Sequence, residues 1–239
     1  AWNQPGTNGL ILPVNPSASF LSILFANELW FTLGDMTMAE HCAMLSMIFS
    51  PRNSGSRMIK RLAEINLVNG DDEAALKYLR ILDKTLLHKS WAEKRIPGQQ
   101  TPQVKEWLEK KRRDIPTQDQ LRSGNDAVTS LQNLVASNAG NLRAYEYLLC
   151  YHLLSKDLRS FVEDYVPGKV SSSIFAEALL IHLARQGNIR AEELIKYQIP
   201  VKIARLYEAK DTSLKEKYGK TYWFYYHFAT TEPGKESKP

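Results

Sequence analysis

Apolar residues return along this chain every three or four positions. Between residues 73 and 87 they fall at Ala75, Leu76, Leu79, Leu82 and Leu86, which places them on one face of a helix. The same spacing predicts helices over Phe20–Leu33, Met38–Phe49, Arg57–Val68, Glu73–Leu87, Leu142–Leu154, Leu158–Tyr165, Ser173–Arg185 and Arg190–Tyr197. Further helices are expected around Val104–Lys111, from Asn125 or Asp126 to Ser137, after Pro200 as a first-turn proline, and over Asp211–Phe228. No stretch alternates apolar and polar residues with period two, so no strand is expected.

Between these segments lie residues that turn or stop a chain. Gly34-Asp35, Asn69-Gly70-Asp71-Asp72, Asn138–Asn141 and Gln186-Gly187-Asn188 read as turns, and Pro51 and Pro167-Gly168 as stops. Ser17 or Ser19 is the expected cap of the first helix, and Ser54 or Ser56 that of the third. Residues 88–124 break the rhythm with Pro97, Gly98, Pro102 and Pro116. They read as a degenerate repeat or an irregular basic insertion, part of which must pack.

Two segments repeat each other. Residues 32–51 laid on 68–87 align Gly34 with Gly70, Asp35 with Asp71 and Ala39 with Ala75, a period of 36. A turn glycine followed five residues later by alanine and an apolar helix is a helix–turn–helix signature, and the alanine marks where two helices approach closely. Ser155, ahead of Lys156-Asp157, reads as the residue in the glycine's place in a less typical later unit. The layout expected is residues 1–16 as a linker or strap, 17–228 as one helical domain, and 229–239 as a disordered polar tail.

Composition adds little to the fold and something to the chemistry. Apolar residues make up 44% and charged residues 24% of the 239, as in ordinary globular proteins. The formal charge of +5 sits in residues 88–113, where eight basic residues face three acidic ones. No apolar run reaches the ~18–20 residues of a membrane span, and no signal-peptide pattern is visible. The chain does not begin with Met, as expected of a processed product or an excised piece of a longer protein. Cys42 and Cys150 have no CxxC partner and read as small buried hydrophobes, with a disulfide between them left open.

Catalytic patterns are missing. The five histidines form no HExxH, HxH or HxxxH, and there is no phosphate loop, dinucleotide fingerprint or nucleophile elbow. No metal or cofactor is expected. The basic span reads as a solvated insertion, with phosphate or acidic-lipid contact as its functional alternative; only Trp91 and Trp107 interleave it, too few for nucleic-acid binding. Tyr218–Phe228 is densely aromatic and reads as a terminal cap, with a partner, glycan or membrane-interface platform as the alternative.

The LGD…A…P spacing of residues 33–51 and the NGD…A spacing of 69–75 resemble tetratricopeptide repeats. The early tryptophan of the first helix is absent, and the 85 positions from Gly70 to Ser155 imply an insertion. The resemblance implies an all-α α-solenoid of antiparallel helix hairpins whose first helices line a concave binding face. Carried onto this sequence, that face includes Arg57, Lys60 and Glu64 on one helix side, with Tyr145 and His152 in a later unit. FANELWFTLGDM, RMIKRLAEINLVNGDDEAALKYLRILDKTL, RAYEYLLCYHLLSKDL and KTYWFYYHF also resemble an uncharacterised bacterial family with a multi-spanning membrane region followed by a helical repeat domain. That likeness implies membrane attachment through segments outside this chain. The expectation is a non-enzymatic interaction or scaffold module for a protein or peptide partner. The alternatives are a membrane- or glycan-associated module using the C-terminal aromatics, and an enzyme with a site between helices.

Overall fold

The computed structural model describes residues 19–49, 55–117, 127–208 and 219–229. The expected strap, the Ser17 and Ser54 caps, Pro51, the Asn125–Asp126 start and most of the tail lie outside these. Among the described residues the chain is all-α, with thirteen helices and no strand. It divides into two compact units, Ala1–Tyr145 and Glu146–Pro239.

Unit 1 begins with two helix hairpins. Helix α1 (Ser19–Leu33) packs on α2 (Met36–Phe49), and α3 (Ser56–Asn69) packs on α4 (Asp72–Asp83). The two turns are built alike. Gly34 (φ 92°) and Gly70 (φ 82°) take the left-handed conformation that side chains resist. The next residue donates its N–H back to the helix just ended: Asp35 to the Trp30 carbonyl and Asp71 to that of Asn66, both at 2.9 Å. Five residues past each glycine, Ala39 and Ala75 are fully buried. Ala43, Met58 and Leu62 form a buried cluster against Leu24, Met47 and Tyr78, so α1, α2, α3 and α4 contribute to one core.

Three details differ from the sequence reading. The cap of α3 is Gly55, without a side-chain bond, and Ser56 is already helical. Helix α4 stops at Asp83, because the Thr85 N–H and hydroxyl both bond the Leu82 carbonyl, at 2.9 and 2.7 Å, and draw it out of the helical ladder. Leu86, expected on the buried face, is therefore almost fully exposed, as is its neighbour Leu87.

The irregular span is partly helical. Helix α5 covers Lys89–Glu93, and α6 covers Pro102–Arg112, with Pro102 opening α6 where its missing N–H costs nothing. This span supplies partners to the open ends of the first hairpins. Lys111 Nζ donates to the Phe31 carbonyl at 3.2 Å, and Arg112 donates to the Leu67 and Val68 carbonyls at 2.8 and 3.0 Å. Beyond α7 (Ala127–Ser137), Asn141 Nδ2 donates to the carbonyls of Leu33 and Asp114 at 2.7 and 2.9 Å. Gly34 lies so close to this segment that a Cβ there would sit 2.2 Å from the Asp114 carbonyl oxygen.

Helix α8 (Leu142–Leu154) crosses the division between the units. In unit 2, α9 covers Leu158–Asp164, α10 Ser173–Arg185, α11 Ala191–Lys196, α12 Val201–Glu208 and α13 Tyr222–Phe228. Helix α10 is buried on nearly every side and packs against α9, α12 and α13, as a helix apolar all round must. The turn ahead of α9 repeats the hairpin pattern with Lys156 in the glycine's place (φ 57°), not Ser155. Asp157 N–H donates to the His152 carbonyl at 2.9 Å.

Helix α13 is held at both ends. Glu177 accepts the Tyr222 N–H at 2.5 Å, and the Tyr222 and Tyr225 hydroxyls donate to the Leu153 and Leu154 carbonyls at 2.9 and 2.8 Å. Lys156 Nζ donates to the Ala229 carbonyl. Of the aromatic segment expected to cap the chain, Tyr222 and Trp223 are buried, Phe224, Tyr225 and Tyr226 are half-buried and Phe228 is exposed. The upstream part of the expected Asp211–Phe228 helix lies mostly outside the described residues.

Candidate functional site

Helix α3 presents Arg57, Lys60, Arg61 and Glu64 at i, i+3, i+4 and i+7, one face by helical geometry. Three neighbouring segments bring groups to that face. Helix α1 brings Glu28 and Phe31, the α5 segment brings Trp91 and Arg95, and α6 brings Trp107 and Lys111.

The charges interlock with the rings. Arg61 Nη2 lies 2.5 Å from Glu28 Oε2 and Arg61 Nη1 lies 3.2 Å from Glu64. Arg57 reaches the same Glu28 at 3.7 Å. The Arg61 guanidinium carbon sits 3.7 Å from the centre of the Phe31 ring, and Lys111 Nζ sits 4.5 Å from it. Phe31 in turn stacks on Trp107 with centroids 6.3 Å apart. Trp91 likewise carries two cations, Lys60 Nζ at 4.6 Å and the Arg95 guanidinium at 4.1 Å. Each such contact is worth ~0.5–2 kcal/mol, more where water is excluded. The Arg57–Glu28 pair, exposed on both sides, contributes little.

Burial dominates the titration of the inner groups. It pushes the Glu64 carboxyl above its ordinary range despite the cations Arg61, Arg95 and Lys60 around it. It lowers Arg95 against the pull of Glu64, and lowers Lys111 with help from the like charge on Arg143. Among these inner groups a charge interacts with its neighbours more strongly than it would on an open surface.

Of the expected face, Arg57, Lys60 and Glu64 come together. Tyr145 and His152 do not offer accessible side chains: each is only 3% exposed. His152 Nε2 lies 2.9 Å from Asp164 Oδ2 inside unit 2. Their spacing on a largely apolar helix fits core packing as well as a binding face. The sequence reading missed Glu28, Phe31, Arg95 and Lys111; the i, i+4 placement of Trp91 and Arg95 was the one local hint.

Other chemistry is sparse. Among the described residues no group of three or more His, Cys, Asp or Glu is placed to hold a metal. Both cysteines are free thiols; burial pushes Cys42 up to about 12, whereas Cys150 is exposed rather than buried as expected. No described helix is long and apolar enough to cross a membrane.

The fold and this surface define an all-helical protein with a charged, ring-braced face. The chain belongs to the family of unknown function DUF6057, whose model matches residues 1–229. No curated protein matches it, and no solved structure does.

Proposed function

We propose that this chain is a non-enzymatic interaction module, an α-solenoid of tetratricopeptide-like hairpins that docks a protein or peptide partner on the α3 face. The observation that carries the reading is the meeting of Arg57, Lys60, Arg61 and Glu64 with rings and charges from α1, α5 and α6. The near-identical turns at Gly34 and Gly70, 36 residues apart, support the repeat architecture. The likeness of the quoted stretches to a bacterial family with membrane spans supports attachment to a membrane through segments outside this chain. An enzymatic reading is less favoured, since His152 is buried and engaged by Asp164. A glycan or membrane platform on α13 is also less favoured, since Tyr222 and Trp223 face inward.

The test is proximity crosslinking in cells, with a photoreactive residue beside the α3 face. Partners captured by the native chain should be lost on the joint change Arg57→Glu and Lys60→Glu while the melting temperature holds. Unchanged capture by the folded variant removes this face as a docking surface.

A further inference from the structure

We propose that Lys60, Trp91 and Arg95 form a carboxylate-binding subsite and that the partner is an acidic peptide segment. The inference rests on the reading of the α3 face as a docking surface. Lys60 Nζ and the Arg95 guanidinium both lie over Trp91, at 4.6 and 4.1 Å from its centre, so their charges are within about 9 Å of each other. Among the described residues neither has an ion-pair partner. Arg95 Nη1 bonds the Trp91 carbonyl at 3.3 Å, and its buried Nε has no hydrogen-bond partner.

The neighbouring carboxylates are already engaged. Glu28 serves Arg57 and Arg61, and Glu64 pairs with Arg61 at 3.2 Å while acting on Lys60 and Arg95 only from beyond ion-pair distance. Glu64 is also held back from ionising by its burial. Four cations, Arg57, Lys60, Arg61 and Arg95, thus share two carboxylates. Two like charges on one ring repel each other, and Glu64, buried and paired with Arg61, offsets this only in part. A carboxylate brought to the edge of Trp91 would supply that charge and give the guanidinium the acceptor it is suited to.

The arrangement favours separated carboxylates over a continuous polyanion. Glu28 is half exposed within the same cluster and repels an uninterrupted run of phosphates. The Trp91 ring is occupied by cations, which leaves little face for a base to stack on. An anionic lipid surface is the main competitor, because the exposed Leu86 and Leu87 precede α5 in the chain. A bilayer, however, cannot arrange its charges around Glu28 and Glu64 as a peptide can.

The experiment measures fluorescence anisotropy of a labelled peptide of alternating glutamate and serine on the whole chain. Its controls are a glutamine version of the peptide, an oligonucleotide and phosphatidylglycerol vesicles. The glutamate peptide should bind and the glutamine peptide should not. Lys60→Gln and Arg95→Gln should each weaken binding about tenfold or more, with Arg95→Lys restoring part of it. Lys77→Gln, on exposed α4 surface, should change nothing. If Arg95→Gln does not fold, Lys60→Gln carries the test. Equal binding of both peptides, indifference to Lys60→Gln, or binding of vesicles or oligonucleotide in place of the peptide overturns the proposal. Absence of peptide binding, with crosslinked partners still lost on reversing Arg57 and Lys60, overturns the subsite and leaves the docking face standing.

Discussion

Asp35 and Asp71 perform the same task 36 residues apart. Each carboxylate accepts the backbone N–H three residues on, Met38 for Asp35 and Ala74 for Asp71, and both bonds are 2.9 Å long. Each residue's carbonyl also takes the first helical bond, from Ala39 and Ala75, at 3.0 Å in both turns. The two differ in setting, since Asp35 is buried and Asp71 exposed. Asp71→Ala should cost ~1 kcal/mol, the usual loss of an N-cap, and Asp35→Ala should cost more because it also empties a buried polar position. Urea midpoints of the two variants measure this; equal losses would show that burial at Asp35 is of no consequence.

The two turn glycines should separate more widely. Gly70 has open space around a built Cβ, so Gly70→Ala should carry only the left-handed backbone cost, ~1–2 kcal/mol. Gly34→Ala carries the same cost and also drives a methyl into the Asp114 backbone. It should destabilise unit 1 by several kcal/mol more, or prevent folding. Thermal melts of the two variants decide, and similar melting temperatures would argue against the close approach.

Lys156 holds a left-handed backbone (φ 57°) without being glycine. Its ammonium donates to the Ala229 carbonyl and lies 5.5 Å from the centre of the Tyr225 ring. Lys156→Met should lose that tether and keep the backbone cost. Lys156→Gly should lose the tether and shed the cost, ending ~1 kcal/mol or more above the Met variant. Hydrogen exchange along α13 should quicken in both. Unchanged exchange would show that the tether does not hold α13.

Burial raises the Glu177 carboxyl above its ordinary range, and the Tyr222 N–H only partly opposes this. A carboxyl with a raised folded-state pKa binds more protons in the native state than in the unfolded one. Its contribution to stability therefore falls as pH rises from the ordinary carboxylate value through the folded value. Glu64 acts in the same direction. Glu177→Gln keeps an acceptor for Tyr222 and removes the buried charge, so it should flatten the fall in stability over that window. Denaturation across mildly acidic to neutral pH checks this, and an unchanged slope would remove Glu177 as its source.

The paired hairpins are legible because their causes are local: a glycine, an aspartate and an alanine at fixed offsets. The Lys156 turn is harder to read, since an unfavourable residue is held there by a bond to Ala229, 73 positions away. Leu86 misleads because its spacing fits the helix that Thr85 ends. Arg57, Lys60 and Glu64 are visible as one helical face, but the rings they lie over come from elsewhere in the chain. Phe31 is 30 residues from Arg61, and no periodicity links Trp91 to Lys60. Tyr145 and His152 show the converse: polar side chains at helical spacing, turned inward.

The donors that Lys111, Arg112 and Asn141 send to the carbonyls of Phe31, Leu33, Leu67 and Val68 bear on how unit 1 can be recombined. A piece ending after α4 would contain both glycine hairpins and still lack these donors. Grafting the hairpins from one family member onto the basic span of another would have to match three carbonyls, those of Phe31, Leu67 and Val68, to donors far along the chain. The span that reads as an insertion thus closes the helix ends of the hairpins that precede it.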